Sequence, residues 1–268
     1  MIVDNCTIRG SSHEICEDSS LSYIDDRATG IICDGCSSEE NTHLGSSIIM
    51  YSAKKFLSKN LFGLLLVMNK ASEVCETLGI NDNCLYSTLL VMKELSGIVE
   101  LSMYGDGVII YKYKDMKELE YIKFEYTHNA PLYPIYYFRE DLYKKYLEYS
   151  KNEFRIEIVS ELKQELKLPI SKNLYINKNV PKDNLEFIAI MSDGIFSFFD
   201  EKNRSCVFSD KELFNKLFDF KLVNKNFIKR RLKRFVQDMS KEGYTNFDDV
   251  SVVIFHEEID MGDHSSVG

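Results

Sequence analysis

A chain of 268 residues that is 44% hydrophobic, with 16 tyrosines and 17 phenylalanines, is large and apolar enough to bury a sizeable core. Its 42 acidic against 33 basic residues leave a net charge of -9, which disfavours a general nucleic-acid surface or an anionic membrane surface, since both would repel it. The longest apolar run, 61–68, falls far short of the roughly 18 residues that span a bilayer, and no basic stretch followed by an apolar one opens the chain; a soluble, cytoplasmic protein without nucleic-acid or membrane partners is expected.

In chain order, residues 27–34 read as a buried strand that ends on Asp34, followed by a turn of small polar residues. Apolar residues at Leu44, Ile48, Ile49, Ala53, Phe56 and Leu57 recur at helical spacing and predict a helix over 43–60; a second follows over 61–78, with Gly79 suited to its end. Segments 84–92, 98–103 and 108–113 read as successive antiparallel strands, the last two joined through Gly105, Asp106 and Gly107 as a hairpin. Residues 115–183 hold all four prolines, many Lys, Glu and Tyr, and an amphipathic helix over 139–149; they read as a peripheral insertion. A core strand returns at 186–191 and runs into Ser192, Asp193 and Gly194. Helices over 209–218 and 224–241 precede a final strand, 250–256, and residues 257–268 are expected to be a mobile tail. Paired helices alternating with runs of antiparallel strands favour an α+β layered architecture in a single domain, 1–256.

Seven cysteines in a chain of this size argue for free thiols over a disulfide framework. Cys33 and Cys36 have the C-x-x-C spacing that serves zinc or redox chemistry, but no second such pair or closely spaced histidines complete a zinc site, and the pair brackets Asp34 and Gly35. The basic run 229–235 alternates with Ile228, Leu232, Phe235, Val236 and Met239 at helical spacing, as a solvated face on a packed helix does. Tyr133, Tyr136, Tyr137, Tyr143, Tyr146 and Tyr149 read as packing for the insertion, with a peptide-binding rim as the alternative. His43, His128 and His256 have no mutual spacing that suggests a site.

The chemistry lies in the acidic turns. Glu17 and Asp18, Asp34, Asp193, and the pair Asp248 and Asp249 each adjoin an apolar run, where a fold can gather them at one end of a sheet. One such turn is ordinary, because Asp and Gly are common turn formers. Several together would be mutually repulsive unless protonated or neutralised by a cation, and all-oxygen ligation suits Mg²⁺ or Mn²⁺.

In order, the segment 10–18, then Asp34 with Gly35, Asp106, the Ser192-Asp193-Gly194 turn and the segment 246–251 resemble the motifs of the metal-dependent serine/threonine protein phosphatases of type 2C, in particular their divergent bacterial members. The resemblance covers nearly the whole chain. It implies a four-layer α-β-β-α sandwich with two central antiparallel sheets, a centre of two Mn²⁺ or Mg²⁺ ions with an optional third, and a flap at 115–183. It also implies attack by a metal-bridging hydroxide on phosphoserine and phosphothreonine monoesters of a phosphoprotein, such as a partner kinase. Carried over, Asp34 resembles the bridging aspartate, Gly35 offers its carbonyl, and Asp193 and Asp248 complete a metal shell. Glu17 and Asp18 match an acidic pair acting through water, Asp106 matches a ligand of the optional ion, and Asp249 becomes a supporting group where asparagine is common. His13 stands where the eukaryotic type has a phosphate-gripping arginine, and Cys36 where the family has a candidate general acid, histidine. These two substitutions predict either slow turnover or a preference for phosphotyrosine-like and aryl esters with better leaving groups, and no gain on alkyl phosphates in Cys36→His would count against that. They also give the alternative of a pseudophosphatase, a phosphoprotein-binding or regulatory module.

Overall fold

The computed structural model describes residues 1–126, 129–149, 153–159, 164–169, 175–200, 202 and 208–258, with the backbone alone at 149, 153–159 and 164–169. The elements are β1 (Ile2–Ile8), β2 (Ser19–Ile24), β3 (Ala28–Cys33), α1 (Thr42–Leu57), α2 (Leu64–Leu78), a 3-10 turn (Asp82–Leu85), β4 (Leu89–Glu94), β5 (Ile98–Tyr104), β6 (Gly107–Tyr113) and β7 (Glu120–Tyr126). They continue with α3 (Pro134–Phe138), α4 (Glu140–Tyr149), β8 (Glu153–Val159), β9 (Gln164–Pro169), β10 (Ile176–Pro181) and β11 (Leu185–Met191). A 3-10 turn (Asp193–Ser197), β12 (Phe198–Asp200), α5 (Asp210–Leu217), α6 (Phe227–Lys241), β13 (Tyr244–Asn246) and β14 (Val250–His256) complete the described chain. Among the described residues no helix is long and apolar enough to cross a membrane.

Two antiparallel sheets stack face to face. One runs β1-β14-β11-β6-β7-β8-β9 and the other β10-β5-β4-β3-β2. The central strands β3, β4, β6, β11 and β14 are apolar on both faces because each sheet is covered twice. Along β11, Phe187, Ala189 and Met191 pack under α5 and α6 with Leu213, Phe214, Leu232 and Phe235, while Ile188 and Ile190 face the second sheet. Along β3, Ile32 faces between the sheets, and Ile31 and Cys33 pack under α1 and α2 with Ile49, Ala53, Val67 and Met68. This period-two division produces the α-β-β-α order of layers. Gly30 lets β3 and β14 of the two sheets approach closely, since a Cβ there would lie 2.4 Å from Val253 Cγ1.

The strand of 27–34 and the final strand of 250–256 are β3 and β14. The helices predicted over 43–60, 61–78, 139–149, 209–218 and 224–241 correspond to α1, α2, α4, α5 and α6, with Gly79 in the left-handed conformation at the end of α2. Three readings need correction. β5 and β6 do not form a hairpin: they belong to different sheets, and the tight turn through Gly105 and Asp106 carries the chain from one sheet to the other. The segment 84–92 is split, its first part coiling into the 3-10 turn at Asp82–Leu85 that packs on α1 before β4 begins. Residues 115–183 are not wholly peripheral, since β7 pairs with β6 in one sheet and β10 with β5 in the other. His128 and most of the tail, 259–268, lie outside the described residues.

Sequence periodicity also passes over β1 and β2, the edge strands on one side of the sandwich. Polar groups bridge them across the sheets. Asn5 Nδ2 donates to Ser20 O at 3.1 Å, Asn5 Oδ1 accepts from Ser22 Oγ at 2.8 Å, and Thr7 Oγ1 lies 2.8 Å from Ser20 Oγ and 2.7 Å from Ser251 Oγ. Satisfied hydrogen bonds replace apolar contact here, which removes the alternating pattern that marks a strand.

Candidate functional site

Antiparallel register sends five chain segments to one end of the sandwich. In one sheet β2 begins where β3 ends, with Ser19 opposite Cys33, and β4 begins where β5 ends, with Leu89 opposite Tyr104. In the other, Met191 at the end of β11 faces Val108 and Val252, and Ile8 faces Val250. Glu17 and Asp18, Asp34 and Gly35, Asp106, Asp193, and Asp248 and Asp249 occupy the turns at these ends. Carboxylates more than two hundred residues apart in sequence thereby become neighbours.

Asp34 is at the centre. Burial and then the charges of Asp18, Asp193, Asp248 and Asp106 push its carboxyl well above the ordinary range. Burial acts first on Asp18 and Asp106 too; Asp249 adds to it at Asp18, and Asp193 at Asp106. Asp193 is raised by burial and Asp248, with Lys123 pulling the other way. Asp18 and Asp193 both lie within hydrogen-bonding reach of Asp34. The scaffold fixes these groups through the backbone: Thr88 Oγ1 accepts from the Asp34 N–H at 3.0 Å, and the Thr88 N–H donates to the Asp34 carbonyl at 2.8 Å. Ser192 Oγ donates to Asp18 Oδ2 at 2.9 Å and accepts from the Ser251 N–H at 2.9 Å. Thr42 Oγ1 donates to Glu17 Oε1 at 3.1 Å.

Asp249 behaves oppositely to its neighbours. Its side chain is 1% exposed, yet its carboxyl is held below the ordinary range. Burial would raise it, but backbone N–H groups of Gly10 at 2.6 Å and Glu17 at 2.5 Å, and the His13 imidazole at 3.1 Å, overcome that cost. Asp249 therefore ties the loop 9–18 to the start of β14, a seam extended by Ser11 N–H to Asn246 O at 2.9 Å and Asn246 Nδ2 to Arg9 O at 3.2 Å. Gly194 is required at its crossing, because a Cβ there would lie 1.8 Å from the Asp249 carbonyl oxygen.

His13 is enclosed by carboxylates, with Nε2 3.5 Å from Asp248 Oδ1 and Nδ1 3.1 Å from Asp249 Oδ2 and 3.8 Å from Glu17 Oε2. Burial alone would lower its pKa; these three charges reverse the sign and raise it. Cys36 is partly exposed at the rim, its Sγ 3.1 Å from Ser38 Oγ, whereas Cys33 is fully buried under α1. Both are free thiols.

The donor set fits hard divalent cations. It consists of carboxylate oxygens with a nearby backbone carbonyl, and two of its buried oxygens, Asp18 Oδ1 and Glu17 Oε2, have no hydrogen-bond partner. Among the described residues no three such side chains already close on one point as a chelate, so bound cations would draw the carboxylates inward.

No protein-family model matches the chain, and no curated protein matches it at a significant level. Solved structures do. A serine/threonine phosphatase of S. agalactiae superposes with a TM-score of 0.58 at 12% identity, covering 96% of this chain and 99% of that one. Stp1, a serine/threonine phosphatase from Staphylococcus aureus, gives 0.57 at 11% over 96% and 95%. The chain has the fold of bacterial serine/threonine phosphatases. The PP2C phosphatase domain of SpoIIE from Bacillus subtilis extends the likeness, with 0.52 at 15% over 96% of this chain and 64% of that one. At these identities the shared phosphatase fold carries the likeness, and the side chains of the acidic end speak for this chain alone.

Sequence reasoning missed the supports of this site. Thr88 and Thr42 gave no motif, and Ser192 read only as part of a turn. Tyr133 packs against Tyr86 and Tyr136, with ring centroids 6.0 and 6.1 Å away, and its hydroxyl also reaches Cys36 and lies near Asp106 and Asp34; burial and then these groups raise its pKa well above normal. Tyr136, Tyr137 and Tyr146 pack as well: Tyr136 meets Tyr86 and Tyr146 at ring-centroid distances of 5.6 and 4.7 Å, and Tyr137 meets Tyr104 at 5.6 Å, while the side chain of Tyr149 lies outside the described residues.

Proposed function

We propose that this chain is a metal-dependent phosphoprotein phosphatase, acting on phosphoserine and phosphothreonine monoesters in the cytoplasm. One observation carries the reading: mutually repelling carboxylates crowd around Asp34, with orphaned oxygens on Asp18 and Glu17, at one end of a sandwich that phosphatases share. Such an arrangement is costly without a cation.

Asp34, the Gly35 carbonyl, Asp193 and Asp248 would hold two Mn²⁺ or Mg²⁺ ions, Glu17 and Asp18 would act largely through water, and Asp106 would serve an optional third. Bound there, the ions supply an activated water and screen phosphoryl charge. The protein's own part is positional. Asp249 anchors the loop that bears Glu17 and Asp18, Ser192 orients Asp18, and Thr88 fixes the backbone of Asp34. His13, held against Asp248 and Asp249, is a donor at the site's edge for a phosphoryl oxygen, but it lacks the two-pronged grip of arginine. Cys36 and Tyr133 line the mouth where the leaving group would depart, and phosphoprotein substrates, a partner kinase among them, would approach from this side.

The test is hydrolysis of an aryl phosphate with and without Mn²⁺, in wild type and Asp193→Ala. Mn²⁺-dependent turnover that falls by roughly a hundredfold or more in the variant is expected. Absence of metal-dependent turnover in the wild type sinks the enzyme reading. Mn²⁺ and phosphopeptide binding without turnover would instead identify a pseudophosphatase, the reading that His13 and Cys36 favour.

A further inference from the structure

The charge of the chain is unevenly placed. Within residues 216–241 there are nine basic against two acidic residues, in a protein whose net charge is -9. This segment spans the last residues of α5, the loop after it and α6, and the start of α6 lies at the opposite end of the sandwich from the acidic turns. Phe227 packs edge-on to His256, the last residue of β14, with ring centroids 5.9 Å apart, and β14 begins at Val250 beside Asp249. Six residues of extended chain put about 20 Å between the two ends.

A cavity of about 380 Å³ opens there. Its lining includes Phe220 and Phe227, which pack edge to face at 5.3 Å. Arg230, Arg234 and Lys221 stand around it, and Leu222 at its lip is 55% exposed. Arg230 is pinned by Lys225 O at 2.6 Å and by Asn224 Oδ1, which fixes its guanidinium at the wall. Arg231 is committed to the carbonyls of Leu217 and Lys216. Of the two wall carboxylates, Asp238 is engaged by Lys241 at 3.1 Å and Arg234 at 3.7 Å. Lys221 has no ion-pair partner among the described residues, and with Arg230, Arg231 and Arg234 set against Asp219 and Asp238 the wall keeps a surplus of positive charge.

We propose that this cavity docks an acidic peptide segment of a partner protein, seating one apolar side chain on Phe220 and Phe227 between carboxylates held by Arg230, Arg234 and Lys221. Enrichment of aromatic residues and arginine in a concave, partly apolar patch is the composition of a protein interface. Duplex nucleic acid fits less well: it needs a track of phosphate contacts and meets the repulsion of the remaining surface. The site is remote from the carboxylate end and stands or falls independently of the proposed catalysis.

The experiment uses the full chain and a fluorescein-labelled peptide of glutamates flanking a single phenylalanine, read by fluorescence anisotropy. A matched peptide with glutamine for glutamate, a duplex DNA and vesicles of equal parts phosphatidylserine and phosphatidylcholine are the comparisons. The acidic peptide is expected to bind, to weaken as salt rises, and to lose roughly tenfold in affinity with Lys221→Glu plus Arg234→Glu. Leu222→Ala should weaken binding without altering its salt dependence. Circular dichroism melting and Mn²⁺-dependent aryl phosphate hydrolysis should be unchanged in these variants, since Arg234 is 68% exposed and distant from the acidic turns. No binding of the acidic peptide, equal binding of the glutamine peptide, no loss on charge reversal, or tighter binding of DNA or vesicles would overturn the proposal.

Discussion

At the end of the sandwich where β14 begins, Asp18, Asp34, Asp106, Asp193 and Asp248 crowd together and burial raises each of them; at the end where it finishes, Lys221 and Lys225, just before α6, are exposed to water. The same fold thus treats like charge in two ways. Exposed cations are screened and cost little, so a basic helix face is stable as it is. Carboxylates drawn inward cannot be screened, and they are tolerable only when a donor or a cation compensates them. Asp249 marks the boundary between these cases, because it is as buried as any of the group yet fully compensated by N–H donors.

Breaking the compensated carboxylate should have the largest effect. Asp249→Ala would leave the N–H groups of Gly10 and Glu17 and the His13 imidazole facing an empty space, at an expected cost of about 3–5 kcal/mol by urea denaturation. A cost under about 1 kcal/mol would show the seam to be dispensable. Next comes relief of the uncompensated set: Mn²⁺ at a hundredfold excess over its dissociation constant should stabilise the wild type by about 2.7 kcal/mol, and distinctly less in Asp193→Ala. Equal thermal shifts in the two proteins would disconnect the carboxylates from the metal.

Acid titration separates Asp249 from its neighbours by sign. A depressed carboxyl contributes stability that is present above its unfolded value and lost as pH falls through the folded one. The stability gap between wild type and Asp249→Asn should therefore hold down to about pH 4 and close below it. The raised carboxyls act the other way, so the metal-free protein should gain stability from them as pH falls from neutrality toward that range. The smallest effect belongs to the basic end. Arg234→Glu, on a side chain 68% exposed, should change folding stability by no more than about 0.5 kcal/mol.

Much of the acidic end was legible before the structure, because each carboxylate follows or precedes an apolar run that reads as a strand: Asp34 after β3, Asp193 after β11, Asp248 and Asp249 before β14. Strand ends are visible in sequence; pairing is not. The Gly105 and Asp106 turn has the composition of a hairpin, but its flanking strands bury both faces and each finds partners in a different sheet. The α1 face was drawn a little wide, since Leu44 is 40% exposed while Ile49, Ala53 and Leu57 are buried, a rotation set by packing on β3. Thr88, Ser192 and Tyr133 were invisible as site residues because a hydroxyl carries no signal of what it will face.

What the sequence by itself determined is local: which segments are apolar enough to become buried strands and helices, and that several end in carboxylates. Which carboxylates meet, which one is spent on backbone N–H groups, and how far the basic helix start lies from them were decided only by tertiary structure. Register and sheet order set those distances, and both arise from contacts between residues far apart in the chain.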